Sequence, residues 1–106
     1  MRSISLVEYT VTVREQDALV PKPYNVRASL VELCFIPVEG VKGIELIRRS
    51  KLAEKIEASD EPLLLEEAEW QRLVDAIDKL PALGRNEVEI VRRVLEAPDV
   101  AVKPAS

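Results

Sequence analysis

The chain has 106 residues, a formal net charge of −4, no histidine and one cysteine, with 47% hydrophobic but only 4% aromatic side chains. That length suits one domain, residues 1–106, with an aliphatic core and a flexible end expected at about 103–106. Without histidine, Ser–His–Asp and Cys–His machinery and imidazole metal sites are excluded. A lone Cys34 supplies neither a CxxC redox pair nor a Cys₄ zinc site.

Residues 4–14, ISLVEYTVTVR, alternate, with Val7, Tyr9, Val11 and Val13 on one face and Glu8, Thr10, Thr12 and Arg14 on the other. Period two with β-branched side chains predicts a half-buried strand. Pro21 and Pro23 are then expected to prevent regular pairing. In NVRASLVELCFIP, Val26, Leu30, Leu33 and Cys34 recur at helical spacing behind Asn25 as N-cap. This predicts a helix stopped by Pro37, with a strand through VELCFI as the rival reading. VEGVKG reads as a loop.

From Gly43 to Ser59 the composition favours helix, and Glu45 can pair with Arg48 or Arg49. Ile44 and Ile47 mark one face, Leu52 and Ile56 another, so a kink near Ser50 or two short helices is expected. PLLLE predicts a short strand at about 62–66. Trp70, Leu73, Ile77 and Leu80, widened by Val74, predict an amphipathic helix over 67–80. Asn86 and Glu89 form a capping-box-like pair before a last helix whose inward residues are Val88, Val91, Val94 and Leu95. Pro98 ends it, and VAVK reads as a third short strand. The elements add up to an α+β fold, a small mainly antiparallel sheet of two to three strands packed against three to four helices. Trp70, Leu73 and Ile77 are expected to cover Val7, Tyr9 and Val11.

Glu66, Glu67 and Glu69 are the best candidates for acid–base chemistry. They also sit in the first turn of the 67–80 helix, where the macrodipole favours carboxylates by about 0.3–1 kcal/mol each. With no dry pocket in view to raise a pKa, the helix-start reading is favoured. EGVKG could cradle an anion with Lys42, but a plain turn accounts for it better. Cys34 lies on an apolar face and reads as a small buried hydrophobe. Trp70 heads an apolar stripe and reads as core. Glu89 can engage Arg92 or Arg93.

Taken in order, PYNVRASLVEL, SKLAEKIE, LLLEEAEWQRLVDAI and VEIVRRVLEAP resemble small accessory proteins encoded in bacteriophage and prophage gene clusters. The resemblance spans residues 24–98 and brings no catalytic motif. It implies a protein that acts by binding, in a particle or on a host factor.

The expected function is therefore that of a non-catalytic interaction or assembly protein, working through a sheet edge and helix surfaces. Its candidate partner-binding residues are Glu8, Thr10, Thr12, Arg14, Arg48, Arg49, Arg92 and Arg93. The partner is a protein, either a second copy in a homo-oligomer or a heterologous chain. The acidic balance argues against nucleic acid, and no run of eighteen apolar residues suggests a membrane span. No catalytic residue, cofactor or metal is expected. The N-terminal MRSISLVEYT lacks the features of a signal peptide, and a single cysteine fits a reducing compartment, so host cytoplasm or a virion assembled there is expected. An acidic inhibitor or adaptor on a basic host protein is the alternative, and a small ligand binder or enzyme the third reading.

Overall fold

The computed structural model describes residues 1–36, 42–80 and 83–100. The Pro37 stop, most of the VEGVKG loop, most of VAVK and the 103–106 end lie outside them. The element order is β1 (Arg2–Ile4), β2 (Tyr9–Glu15), β3 (Ala18–Tyr24), α1 (Val26–Cys34), α2 (Gly43–Ala58), β4 (Leu63–Leu65), α3 (Glu67–Asp78), a 3₁₀ turn (Arg85–Glu87) and α4 (Val88–Leu95). The fold is α+β, and its strands form two antiparallel ribbons, β1 with β4 and β2 with β3.

The expected 4–14 strand is split. Ile4 and Leu6 are buried, but the backbone between them and β2 is satisfied by side chains rather than by a neighbouring strand. Arg93 binds the carbonyls of Ser5 (3.2 Å) and Val7 (2.6 Å), and the Leu6 N–H donates to the Glu61 carboxylate. Val7 consequently turns outward and is 56% exposed, not core.

Pro21 and Pro23 do not prevent pairing, contrary to expectation. β3 pairs with all of β2, Thr12 facing Pro21 and Thr10 facing Pro23. Gln16 and Asp17 close the hairpin with positive φ (47° and 66°), the geometry of a two-residue primed turn. Such a turn makes Glu15–Ala18 a hydrogen-bonded pair. Alternation then puts both prolines in non-bonded pairs, where the missing N–H would have pointed outward.

The core is aliphatic and lies among the helices and the β1–β4 ribbon. Ile4, Leu30, Ile56, Leu63, Leu65, Leu73, Val26 and Val94 are its largest fully buried side chains, and no polar side chain among the described residues is buried. In α1, Asn25 caps the helix by accepting from the Ala28 N–H (3.0 Å), and Val26, Leu30, Leu33 and Cys34 are buried as the spacing required. Arg27 ties the start of α1 to the end of α2 by donating to the carbonyls of Ile56 (2.6 Å) and Ser59 (2.7 Å). These are acceptors that the end of a helix leaves free.

Three expectations about the helices change. α2 is one continuous helix rather than two pieces, with only Leu52, Ala53 and Ile56 fully buried. In the last helix Val94 is buried and Val91 packs partly buried against the core as expected, with Ile90 buried beside them, whereas Val88 is 62% exposed and Leu95 is also exposed. Asn86 and Glu89 do not form a cap, because Glu87 accepts from the Gly84 N–H (3.0 Å) and Glu89 pairs with Arg92 and Arg93. Leu73 and Ile77 are core. Trp70 does not cover β2: it is half-buried, its indole N–H donates to the Val94 carbonyl (2.7 Å), and Arg2 lies over its ring at 4.1 Å. Next to β1, the Ser3 N–H donates to the Pro98 carbonyl (3.0 Å) and the Val100 N–H to Met1 (2.7 Å). The chain at 98–100 thus flanks β1 on the side away from β4.

Candidate functional site

The β2–β3 hairpin meets the body at its Tyr9–Tyr24 end, where the two rings stack at 4.8 Å and pack against the core. The molecule is elongated, 53 × 37 × 22 Å, with a Cα radius of gyration of 15.0 Å. A compact chain of this length would give about 13 Å. Cross-strand partners share a face. Tyr9, Val11, Val13, Val20 and Tyr24 make one half-buried apolar side, and Thr10, Thr12, Arg14, Leu19, Pro21 and Pro23 make the exposed other.

The two edges of the ribbon differ. On β3 the outward positions include both prolines, which offer no donor to an incoming strand. On β2 the outward backbone groups belong to Thr10, Thr12 and Arg14. The Thr12 carbonyl accepts from the Asn86 side-chain amide (3.0 Å), and the Asn86 carbonyl in turn accepts from the Tyr9 hydroxyl (3.2 Å). An open groove of about 1020 Å³ runs between the hairpin and the start of α4, lined by Thr10, Thr12, Leu19, Asn86, Val88 and Arg92 among others.

The sequence-predicted residues therefore separate. Thr10, Thr12 and Arg92 come together at the groove, while Glu8 and Arg14 are exposed nearer the two ends of β2. Arg48 is exposed on α2, away from the groove lining, and Arg49 is partly covered and pairs with Glu45 (3.6 Å). The adjacent arginines of α4 are unalike. Arg92 is exposed and pairs with Glu89. Arg93 binds Glu89 (3.1 Å) as well as the Ser5 and Val7 carbonyls, and its guanidinium lies 5.1 Å from the centre of the Tyr9 ring.

The glutamates at the start of α3 are engaged in structure. Glu69 accepts from the Glu66 N–H (2.8 Å) and from Lys55 (2.6 Å). Glu67 takes both arms of the Arg2 guanidinium at 3.0 Å, and that hydrogen bond holds its carboxyl below the ordinary carboxylate range. Burial pushes the Glu45 carboxyl up, but the Arg72 hydrogen bond, with the charges of Arg72 and Arg49, outweighs it and leaves the carboxyl lowered. Hydrogen bonds from Arg93 and Arg92 lower Glu89, and the N-terminal ammonium lowers Asp99. Cys34 is buried, with its thiol directed at the Leu30 carbonyl (3.4 Å) and its pKa pushed up to about 11 by burial. It has the character of an inert core thiol.

Sequence reasoning missed Asn86 as a strand-edge residue, along with the Arg2–Glu67, Lys55–Glu69 and Arg72–Glu45 pairs. They join positions 14 to 74 residues apart, and no local periodicity signals them. Among the described residues no three His, Cys, Asp or Glu converge to hold a metal ion, and no helix is long and apolar enough to cross a membrane. No protein-family model matches the chain, and no curated protein or solved structure is significantly similar to it.

Proposed function

We propose that the protein is a non-catalytic interaction or assembly protein, phage-encoded as the resemblance of residues 24–98 implies, acting in host cytoplasm or in a virion built there. Its partner is a protein, a second copy or a heterologous chain. The observation that carries this reading is the asymmetry of the hairpin. One edge is closed by Pro21 and Pro23, while the other keeps the outward groups of Thr10 and Arg14 beside an open groove. Strand addition along β2 would satisfy those groups, and side chains on alternate positions would set specificity. Arg92 on the groove wall, and Arg48 on α2, extend the contact to helix surfaces. An acidic inhibitor or adaptor is the alternative reading; Glu15, Glu45, Glu67, Glu69, Glu89 and Asp99 are paired with the chain's own cations, so it would act through other carboxylates.

The test is Thr10→Pro, which removes an outward N–H and leaves the β2–β3 ladder intact. Native mass and affinity for co-purifying proteins would be measured on the full chain, with circular dichroism to establish the fold. At least tenfold weaker association is expected. Wild-type association by a folded variant would move the interface to the Arg48 or Arg92 helix surfaces.

A further inference from the structure

α2 is longer than the core requires. Its second half supplies Leu52, Ala53 and Ile56 to the interior. Its first half carries Ile44, Leu46 and Ile47 at 63%, 52% and 57% exposure, the densest run of exposed large hydrophobics among the described residues. A helix turns about 100° per residue, so Ile44, Ile47, Arg48 and Lys51 fall within an arc of about 100°, while Leu46 lies on the opposite side.

The charge on this arc is mainly positive. Arg48 and Lys51 are exposed on it and make no ion pair among the described residues, while Lys42, the N-cap, lies on the opposite side of the axis. Glu45 is held by Arg72 (3.0 Å) and Arg49 (3.6 Å), and the exposed Glu54 lies at the C-terminal edge of the arc. A chain of net charge −4 thus presents two cations without an ion pair among the described residues beside two exposed isoleucines. Cations framing apolar anchors are the complement of an acidic segment with apolar side chains of its own.

We propose that the first half of α2 is a docking surface for an acidic amphipathic segment of a partner protein, with Ile44 and Ile47 as anchors and Arg48 and Lys51 as its charged rim. Protein is favoured over nucleic acid because two cations release few counterions and the isoleucines have no role on a phosphate backbone. It is favoured over a lipid surface because Leu46 lies about 160° round the helix from Ile44, so the apolar side chains do not share one plane. The inference rests on the reading of the chain as a binding protein but uses a surface separate from the β2 edge.

The test uses the full chain and a panel of synthetic helical peptides with leucines at i, i+3 and i+4 and glutamates between them. The same peptides with lysine for glutamate, and vesicles of phosphatidylcholine and phosphatidylserine, serve as comparisons. Fluorescence anisotropy should show saturable binding of acidic peptides that weakens with salt. Arg48→Glu with Lys51→Glu, or Ile44→Ser with Ile47→Ser, should weaken it at least tenfold, without change in the far-ultraviolet spectrum because all four side chains are exposed. Thr10→Pro should leave it unchanged, which separates this surface from the β2 edge. Absence of binding across the panel, equal binding of lysine peptides, insensitivity to the α2 variants, or binding to vesicles alone would each overturn the proposal.

Discussion

The side-chain amide of Asn86 donates to the Thr12 carbonyl at 3.0 Å, joining the turn before α4 to the outer edge of β2. An unpaired strand edge is a template for another chain, and a side chain that occupies one of its acceptors blunts it. Asn86→Ala removes this bond but leaves the Asn86 backbone acceptor of Tyr9 in place. It should cost about 0.5–1.5 kcal/mol, measured by urea denaturation. The uncovered Thr12 carbonyl should also raise self-association, read as a higher weight-average mass in sedimentation equilibrium. An unchanged mass at matched concentration would show that Asn86 does not guard the edge.

Trp70 joins three elements: its indole N–H binds Val94 of α4, Arg2 of β1 covers its ring, and its backbone belongs to α3. Trp70→Phe keeps most of the apolar area and removes the hydrogen bond, leaving the Val94 carbonyl without that donor. The expected loss is about 1–2 kcal/mol. Trp70→Ala should cost more, about 2–4 kcal/mol, below the range for a fully buried tryptophan because the side chain is only partly buried. Emission from the native protein should lie to the blue of water-exposed tryptophan and shift red on unfolding. A native maximum equal to that of the unfolded chain would contradict the placement.

These two residues show what was legible in the sequence. Period and propensity found α1, α3, β4 and the β2 strand, because each is dictated by neighbours within about ten positions. The hairpin was missed because Gln16–Asp17 is not an Asn-Gly type of turn signal, and because prolines disallow only the inner face of a ladder, not its outer one. The inward face of α4 was half legible, for a different reason. Val91 and Val94 turn inward with Ile90, while Val88 and Leu95 fall outside, and only the packing of the neighbouring elements decides which apolar residues are covered. The strand candidates came from alternation and the helix candidates from paired charge, and paired charge cannot separate Arg93, committed to loop carbonyls, from Arg92.

Stability should have a plateau bounded by known groups. Glu45, Glu67, Glu89 and Asp99 all have folded-state pKa values below their ordinary ones of 4.5 and 3.8. Lowered carboxyls contribute stability that is present above the ordinary value and is lost as pH falls through the folded one. The melting temperature should therefore fall below about pH 4.5 and keep falling through the next units of pH. On the alkaline side, burial raises Cys34 to about 11 and also raises Tyr9, so both favour the fold in their neutral forms. Their contribution is complete below the ordinary thiol value of 9.0 and fades as pH rises towards 11. With no histidine, the melting temperature should be flat between about pH 6 and 7, below the range in which α-amino groups titrate. A titration step inside that window would mean that a group outside this set is coupled to folding.

The last prediction separates Arg92 from Arg93. Arg93 donates to the carbonyls of Ser5 and Val7 and to Glu89, and its guanidinium faces the Tyr9 ring, so one side chain fixes the loop between β1 and β2 against α4. Charge-assisted hydrogen bonds are worth about 1.5–3 kcal/mol each in favourable cases, and alanine would leave two backbone acceptors without their donor. Arg93→Ala should cost about 2–3 kcal/mol and loosen the loop, seen as faster amide exchange at Leu6 and Val7. Arg93→Lys should recover only part of this, because an ammonium cannot reproduce the planar fork that reaches several oxygens together. Arg92 is exposed and, among the described residues, pairs only with Glu89, so Arg92→Ala should change stability by less than about 1 kcal/mol. Equal losses for the two alanine variants would show that the loop is held by something other than Arg93.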